Sequence, residues 1–176
     1  MNTPRSLVFI GDSLTEYYDW QQRFPEHRVK NLGIAGEPAE GLLNRLNWEL
    51  SRMQNPDVVF VMTGINNIAM DDYDIADTYR EIVKRLSEWL KGSVIVVQSI
   101  LPVLLPWIDN GVIKGINSDL KKIAEASGGV YLDVYQLFVD ENGNPDASCL
   151  LDDGVHLSDR GYEVWSKAVD EFLSYS

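Results

Sequence analysis

Four short stretches of this chain hold residue types that together can carry out nucleophilic catalysis. The first is Gly11-Asp12-Ser13-Leu14-Thr15, which follows the apolar run Ser6 to Ile10. A serine hydroxyl at such a junction becomes a nucleophile once a base takes its proton, and the amides after it can face developing negative charge. The same serine could instead simply cap the next helix. In Asn31-Leu32-Gly33-Ile34-Ala35-Gly36 two glycines three apart permit a tight turn with an exposed amide at Gly36. Thr63-Gly64-Ile65-Asn66-Asn67 offers a carboxamide donor for an oxyanion, or else an asparagine-rich turn. Asp152-Asp153-Gly154-Val155-His156-Leu157-Ser158 places a histidine three residues after Asp153. In a turn, that spacing lets the carboxylate reach Nδ1 and leaves Nε2 to accept a proton; a surface Asp–His contact is the plainer alternative. The other of the 2 histidines, His27, stands by Pro25 and Arg28 and reads as a solvated loop residue.

The elements that must position these stretches follow from hydrophobic period. Ser6 to Ile10, Arg28 to Leu32, Asp57 to Met62, Ser93 to Ser99 and Val130 to Val134 read as strands, several almost wholly apolar and β-branched. Helical spacing links Ala39, Leu42, Leu43, Leu46, Leu50 and Met53, and again Ile75, Tyr79, Ile82, Leu86 and Trp89. Ile116, Leu120 and Ile123 repeat in the same way before Gly128, and a last helix runs from an N-cap at Ser158 through Trp165, Ala168, Val169 and Phe172. Alternating strands and helices imply an α/β fold with a parallel sheet covered on both sides. Right-handed crossovers then place every strand's C-terminus on one edge, the edge where ligands of open α/β sheets bind. Three of the four stretches directly follow predicted strands, and the fourth precedes the final helix on that same edge. A nucleophile, oxyanion donors and an oriented base thus converge.

Composition narrows the function classes. The 176 residues suit one domain, 1–176, without linker or repeat. Lys and Arg number 15 against 27 Asp and Glu, a net charge of −12, which disfavours nucleic acid and anionic membrane surfaces as partners. The 1 cysteine, Cys149, excludes an internal disulfide framework and a zinc site of clustered thiolates. No apolar run approaches the ~20 residues of a membrane span, and Leu7 to Ile10 is short for a signal-peptide core. A cytoplasmic location is expected. Thr15 replaces the second glycine of G-x-S-x-G, and G-x-G-x-x-G is absent, so neither an α/β-hydrolase elbow nor a dinucleotide site is indicated.

In order and content the four stretches resemble the sequence blocks of the SGNH (GDSL) hydrolase family. Asn67, where many members carry Asp, places the chain nearest the G-x-N-N branch resembling platelet-activating factor acetylhydrolases. The resemblance implies a flavodoxin-like three-layer αβα sandwich with a five-stranded parallel sheet. It also implies Ser13 as nucleophile, Asp153 and His156 as its partners, an oxyanion hole of the Ser13 and Gly36 amides with the Asn66 carboxamide, and no metal or cofactor. The expected substrate is a small, short-acyl (acetyl) ester; a lysophospholipase or thioesterase acting on longer acyl chains is the alternative, and a non-catalytic flavodoxin-like binding module is the reading from a different class. The apolar run Ile100 to Ile108 follows the fourth predicted strand. Its Leu104 and Trp107 could wall an acyl pocket, form a movable lid, pack on the core or bury a homodimer interface. Tyr17 and Tyr18 could flank the cleft or pack. Asp140, Asn142, Asn144 and Asp146 carry alternate oxygen ligands but read as a polar turn on Asn142-Gly143 rather than a cation loop.

Overall fold

The computed structural model describes residues 3–175. Its five-stranded sheet is built from β1 (Ser6–Gly11), β2 (Arg28–Gly33), β3 (Val58–Met62), β4 (Val94–Gln98) and β5 (Val130–Leu132) in the order β2-β1-β3-β4-β5. Every pairing is parallel. The strands fall within two residues of their expected positions; in β1, β3 and β4 apolar runs buried on both faces leave little else for the sequence to form. β3 is buried throughout.

The helices are α1 (Ser13–Glu16), α2 (Trp20–Arg23), α3 (Ala39–Ser51), α4 (Ile65–Ala69), α5 (Ala76–Trp89), α6 (Asn110–Ala126) and α7 (Asp159–Tyr175). β1 to β2 steps one way along the sheet, whereas β2 to β3, β3 to β4 and β4 to β5 step the other way. Right-handed crossovers therefore put α2 on one face and α3, α5 and α6 on the opposite face, giving the expected three layers. α7 joins α2: Trp20 meets Trp165 edge-on at 4.8 Å and stacks on Phe9 of β1 at 3.9 Å, and Phe9 in turn stacks on Phe60 of β3. Trp165 also donates its Nε1–H to Gln98 Oε1 at 2.7 Å, so the packed indole leaves no donor unpaired. Among the described residues no helix is long and apolar enough to cross a membrane.

The winding reverses at β1 and β3, the switch point where crevices of open α/β sheets lie. Backbone register sets the geometry there. Gly11 pairs with Gly33 on one side and Met62 on the other, so the chains leaving β1, β2 and β3 emerge level. The pairing leaves no room for a side chain: a Cβ on Gly11 would lie 1.9 Å from the Met62 carbonyl oxygen.

The run 100–108 is a tied strap. The Asn117 carboxamide brackets the Ile100 N–H and C=O, both at 2.8 Å, and Asn110 does the same for Val103, both at 2.9 Å. Ile100, Leu101, Val103 and Ile108 are buried, so most of the apolar content belongs to the core, and the lid reading gives way to a packed loop. Only Leu104, Pro106 and Trp107 stand out into solvent.

Gly11→Ala should therefore cost about 2–3 kcal/mol through overpacking against β3. The cost would appear as a lower urea midpoint, and an unchanged midpoint would contradict the register argument.

Candidate active site

Ser13 begins α1 at the C-terminal end of β1. The cap of this one-turn helix is Asp12 rather than the serine, with Asp12 Oδ1 accepting from the Leu14 N–H at 3.0 Å. That arrangement leaves the Ser13 hydroxyl for His156, whose Nε2 lies 3.0 Å from Ser13 Oγ. On the other side of the ring, His156 Nδ1 lies 2.7 Å from Asp153 Oδ2. The carboxylate fixes the tautomer: Nδ1–H donates to Asp153, and Nε2 stands as acceptor for the serine proton. Asp153 Oδ1 also accepts from the N–H groups of Val155 (2.9 Å) and His156 (2.8 Å). Partial burial raises the Asp153 carboxyl, but these three hydrogen bonds outweigh it and hold the group below the ordinary carboxylate range. The carboxylate is thus charged wherever the histidine must act as a base. The strap holds this loop from behind, through Leu104 N–H to the Gly154 carbonyl at 2.7 Å. Gly154 takes φ +74°, and a Cβ there would press on Leu104.

Gly36 and Asn66 leave the sheet on the same edge. Gly36 is exposed with φ +75°, and nothing lies within 4 Å of where its Cβ would be. Space for a ligand atom therefore opens beside its amide. Half-buried Asn66 donates one Nδ2–H to the Glu37 carbonyl at 3.1 Å, which ties it to the Gly36 turn. Two further residues fasten that turn to the segment that carries Ser13. Asn31 Nδ2 fans out to the carbonyls of Thr15 (2.9 Å), Glu16 (3.2 Å) and Tyr18 (3.2 Å), while its Oδ1 takes the Gly33 N–H at 2.9 Å. Glu16 Oε2 accepts from the Ala35 N–H at 2.6 Å. Sequence reasoning gave neither residue a role, because their partners are backbone groups of a distant segment.

The other expected residues divide. The Tyr17 ring centre sits 5.4 Å from that of His156 and is 59% exposed, so it flanks the site. Tyr18 stacks on Tyr162 at 4.6 Å and is a packing residue. Leu104 stands beside Gly154 at the rim. Trp107 is 65% exposed on the strap and makes no aromatic contact with the triad. His27 is not the solvated residue expected. It is 5% exposed, and its Nδ1 accepts from the Arg5 N–H at 3.1 Å, so it serves the edge of the sheet.

Asp12 is the residue most conspicuously missed, although a carboxylate between a strand and a helix start is a recognisable cap signal. It is 1% exposed, and Oδ2 has no hydrogen-bond partner among the described residues. Burial pushes its pKa up to about 7, against the opposing pull of the Leu14 N–H and His156. The unfolded chain loses this proton near pH 4 and the folded chain only near 7. Between those values the folded state binds the extra proton, so the group withdraws stability as pH rises, by up to about 1.4 kcal/mol per unit. Asp12→Asn keeps the cap acceptor and removes the titration. Its melting temperature should gain on the parent between pH 5 and pH 8, and parallel curves would show that Asp12 ionises normally.

Comparison with known proteins agrees with this geometry. The model of the GDSL-like Lipase/Acylhydrolase family matches residues 9–164. N-acylneuraminate cytidylyltransferase of Escherichia coli is 27% identical over 95% of this chain and 40% of its own. Human platelet-activating factor acetylhydrolase IB subunit alpha1 is 32% identical over 54% of this chain and 43% of its own. The chain thus spans less than half the length of these curated relatives. Among solved structures, one named for platelet activating factor, from Streptococcus pneumonia, superposes with a TM-score of 0.87 at 27% identity, covering 97% of this chain and 84% of that one. An acetylxylan esterase from Geobacillus stearothermophilus shares the fold, with a TM-score of 0.79 at 21% identity over 100% and 97% of the two chains. The triad on its switch-point edge and a family match spanning nearly the whole chain lead to one conclusion: this protein belongs to the GDSL-like lipase/acylhydrolase family, enzymes that act on ester bonds.

Proposed function

We propose that this protein is a serine esterase that hydrolyses small, short-acyl esters, acetyl esters foremost, through an acyl-enzyme. The observation that carries the reading is the unbroken hydrogen-bond chain from Asp153 through His156 to Ser13. As Ser13 Oγ attacks the acyl carbon, His156 Nε2 takes its proton and Asp153 stabilises the imidazolium that forms. The tetrahedral oxyanion is held by the Ser13 and Gly36 amides and by the second Nδ2–H of Asn66. His156 returns its proton to the leaving alcohol. Water, deprotonated by the same nitrogen, then releases the acid and restores the serine.

Support for a short acyl group comes from the names of two similar proteins, an acetylhydrolase and an acetylxylan esterase. The acetylated polysaccharide in the name of the second makes an acetylated sugar the first substrate to try. Tyr17 and Leu104 give the rim an exposed apolar side suited to the substrate's non-reacting part.

Ser13→Ala should abolish hydrolysis of p-nitrophenyl acetate with the melting temperature retained, and a full rate in this variant would overturn the proposal. Asn66→Ala should lower kcat ~10²–10³-fold with little change in KM. Across p-nitrophenyl esters from acetate to palmitate, kcat/KM should fall with chain length. A maximum at long chains, shifted by Trp107→Ala, would instead favour a lysophospholipase or thioesterase that uses the strap as its acyl wall.

A further inference from the structure

Beside Asn66, Asn67 takes no part in the steps above, yet its carboxamide is fully engaged. The residue is 1% exposed. Its Oδ1 accepts from the Ala39 N–H at 2.8 Å, and its Nδ2 donates to Glu40 Oε2 at 2.8 Å and Asp72 Oδ2 at 2.9 Å. The carboxamide has one possible orientation, since turning it over would set oxygen between two carboxylates and NH₂ against an N–H. Glu40 is held in turn by Thr78 Oγ1 at 2.9 Å, and the Asp72 N–H returns to the Asn67 carbonyl at 3.0 Å. The Asn67 side chain thereby joins α4 to the first turn of α3 and to the turn between α4 and α5, and Glu40 carries the link on to the start of α5.

The position of this joint matters. α3 starts after Pro38, which offers no side-chain cap, so Asn67 supplies the acceptor for the orphan Ala39 donor. Ala39 lies two residues beyond Glu37, whose carbonyl holds Asn66, and three beyond Gly36. The two oxyanion donors contributed by separate loops are therefore set relative to each other by Asn66 and Asn67 acting on one turn. Arg45 clamps the same turn from behind, pairing with Glu37 at 2.8 Å and donating to the Leu32 carbonyl at 2.7 Å.

We propose that Asn67 is a positioning residue for the oxyanion hole, and that the flanking carboxylates of Glu40 and Asp72 require a neutral amide there. The proposal rests on the esterase reading and adds to it the pairing of this side chain's charge with its neighbours'. An aspartate could still accept from Ala39. It would also lose both donors and face two carboxylates in a buried setting, so the α3 start would be displaced. Because an oxyanion forms only in the transition state, misplacing its donors lowers kcat and leaves KM.

The test is a charge-swap series assayed on p-nitrophenyl acetate, with melting temperatures alongside. Asn67→Asp should lower kcat at least tenfold with KM within about twofold. Adding Glu40→Gln and Asp72→Asn supplies amide donors to the new carboxylate and should restore most of kcat. Wild-type kcat in the single variant, or no recovery in the triple variant, would overturn the proposal. If the single variant does not fold, the Glu40→Ala/Asp72→Ala pair, which strips Asn67 of its acceptors, should lose kcat several-fold at unchanged KM, and wild-type kcat there would overturn it. Wild-type protein without Ser13-dependent turnover would overturn the esterase reading as well, whereas active protein indifferent to these changes removes only the positioning role.

Discussion

The structure depends on the backbone register that places Gly11 of β1 level with Gly33 of β2 and Met62 of β3. Three loops leave the sheet from that line, carrying the Ser13 hydroxyl, the Gly36 amide and the Asn66 carboxamide. Slippage by one residue would turn every side chain of a strand to the opposite face and separate these groups. The register is protected by its own tightness, because no side chain fits at Gly11 and a Cβ on Gly33 would strike the Glu16 backbone. The histidine arrives from the far end of the chain, on a loop braced by the strap and followed by α7. Burial of Trp165 and its bond to Gln98 lock α7 onto the sheet. Hydrophobic packing thus determines where a surface hydrogen bond can form.

The loops are organised by side chains that bind distant backbone. Asn31, Asn66, Asn67, Asn110 and Asn117 each attach to backbone in another segment. An asparagine has a donor and an acceptor on a short stem, so it can satisfy the unpaired N–H and C=O groups of irregular chain where regular structure ends. Electrostatics follows the same pattern. Asp153 is exposed and kept ionised by hydrogen bonds, whereas Asp12, buried one residue before Ser13, is held back from ionising. Two carboxyl groups near one imidazole thus take opposite protonation behaviour from opposite surroundings.

Much of this was legible in the chain. The five strands, the long amphipathic helices and the edge on which the motifs gather follow from short-range pattern plus the handedness of crossovers, and the Ser13–His156–Asp153 linkage from the resemblance of those motifs to the family's blocks. α1, α2 and α4 are one turn or little more, too short to show a period. β5 stops at Leu132 because the chain turns into a short 3₁₀ segment at Tyr135–Phe138, buried through Tyr135 and Phe138. His27 looked solvated beside Pro25 and Arg28, but it is buried and accepts from the backbone of Arg5, a partner far away in sequence. Asn67 read as a turn residue for the same reason, its acceptor and donor partners lying at the start of α3 and in the turn after α4. Local pattern reveals which residues can do chemistry, and long-range backbone contacts decide what holds them.

The most direct measurement of the central claim is covalent trapping of the intact protein with a fluorophosphonate, followed by mass spectrometry of the whole chain and its peptides. The account predicts one adduct per chain, on the peptide bearing Ser13, and its loss in Ser13→Ala. Labelling elsewhere, or none under conditions that saturate a known serine hydrolase, would contradict it.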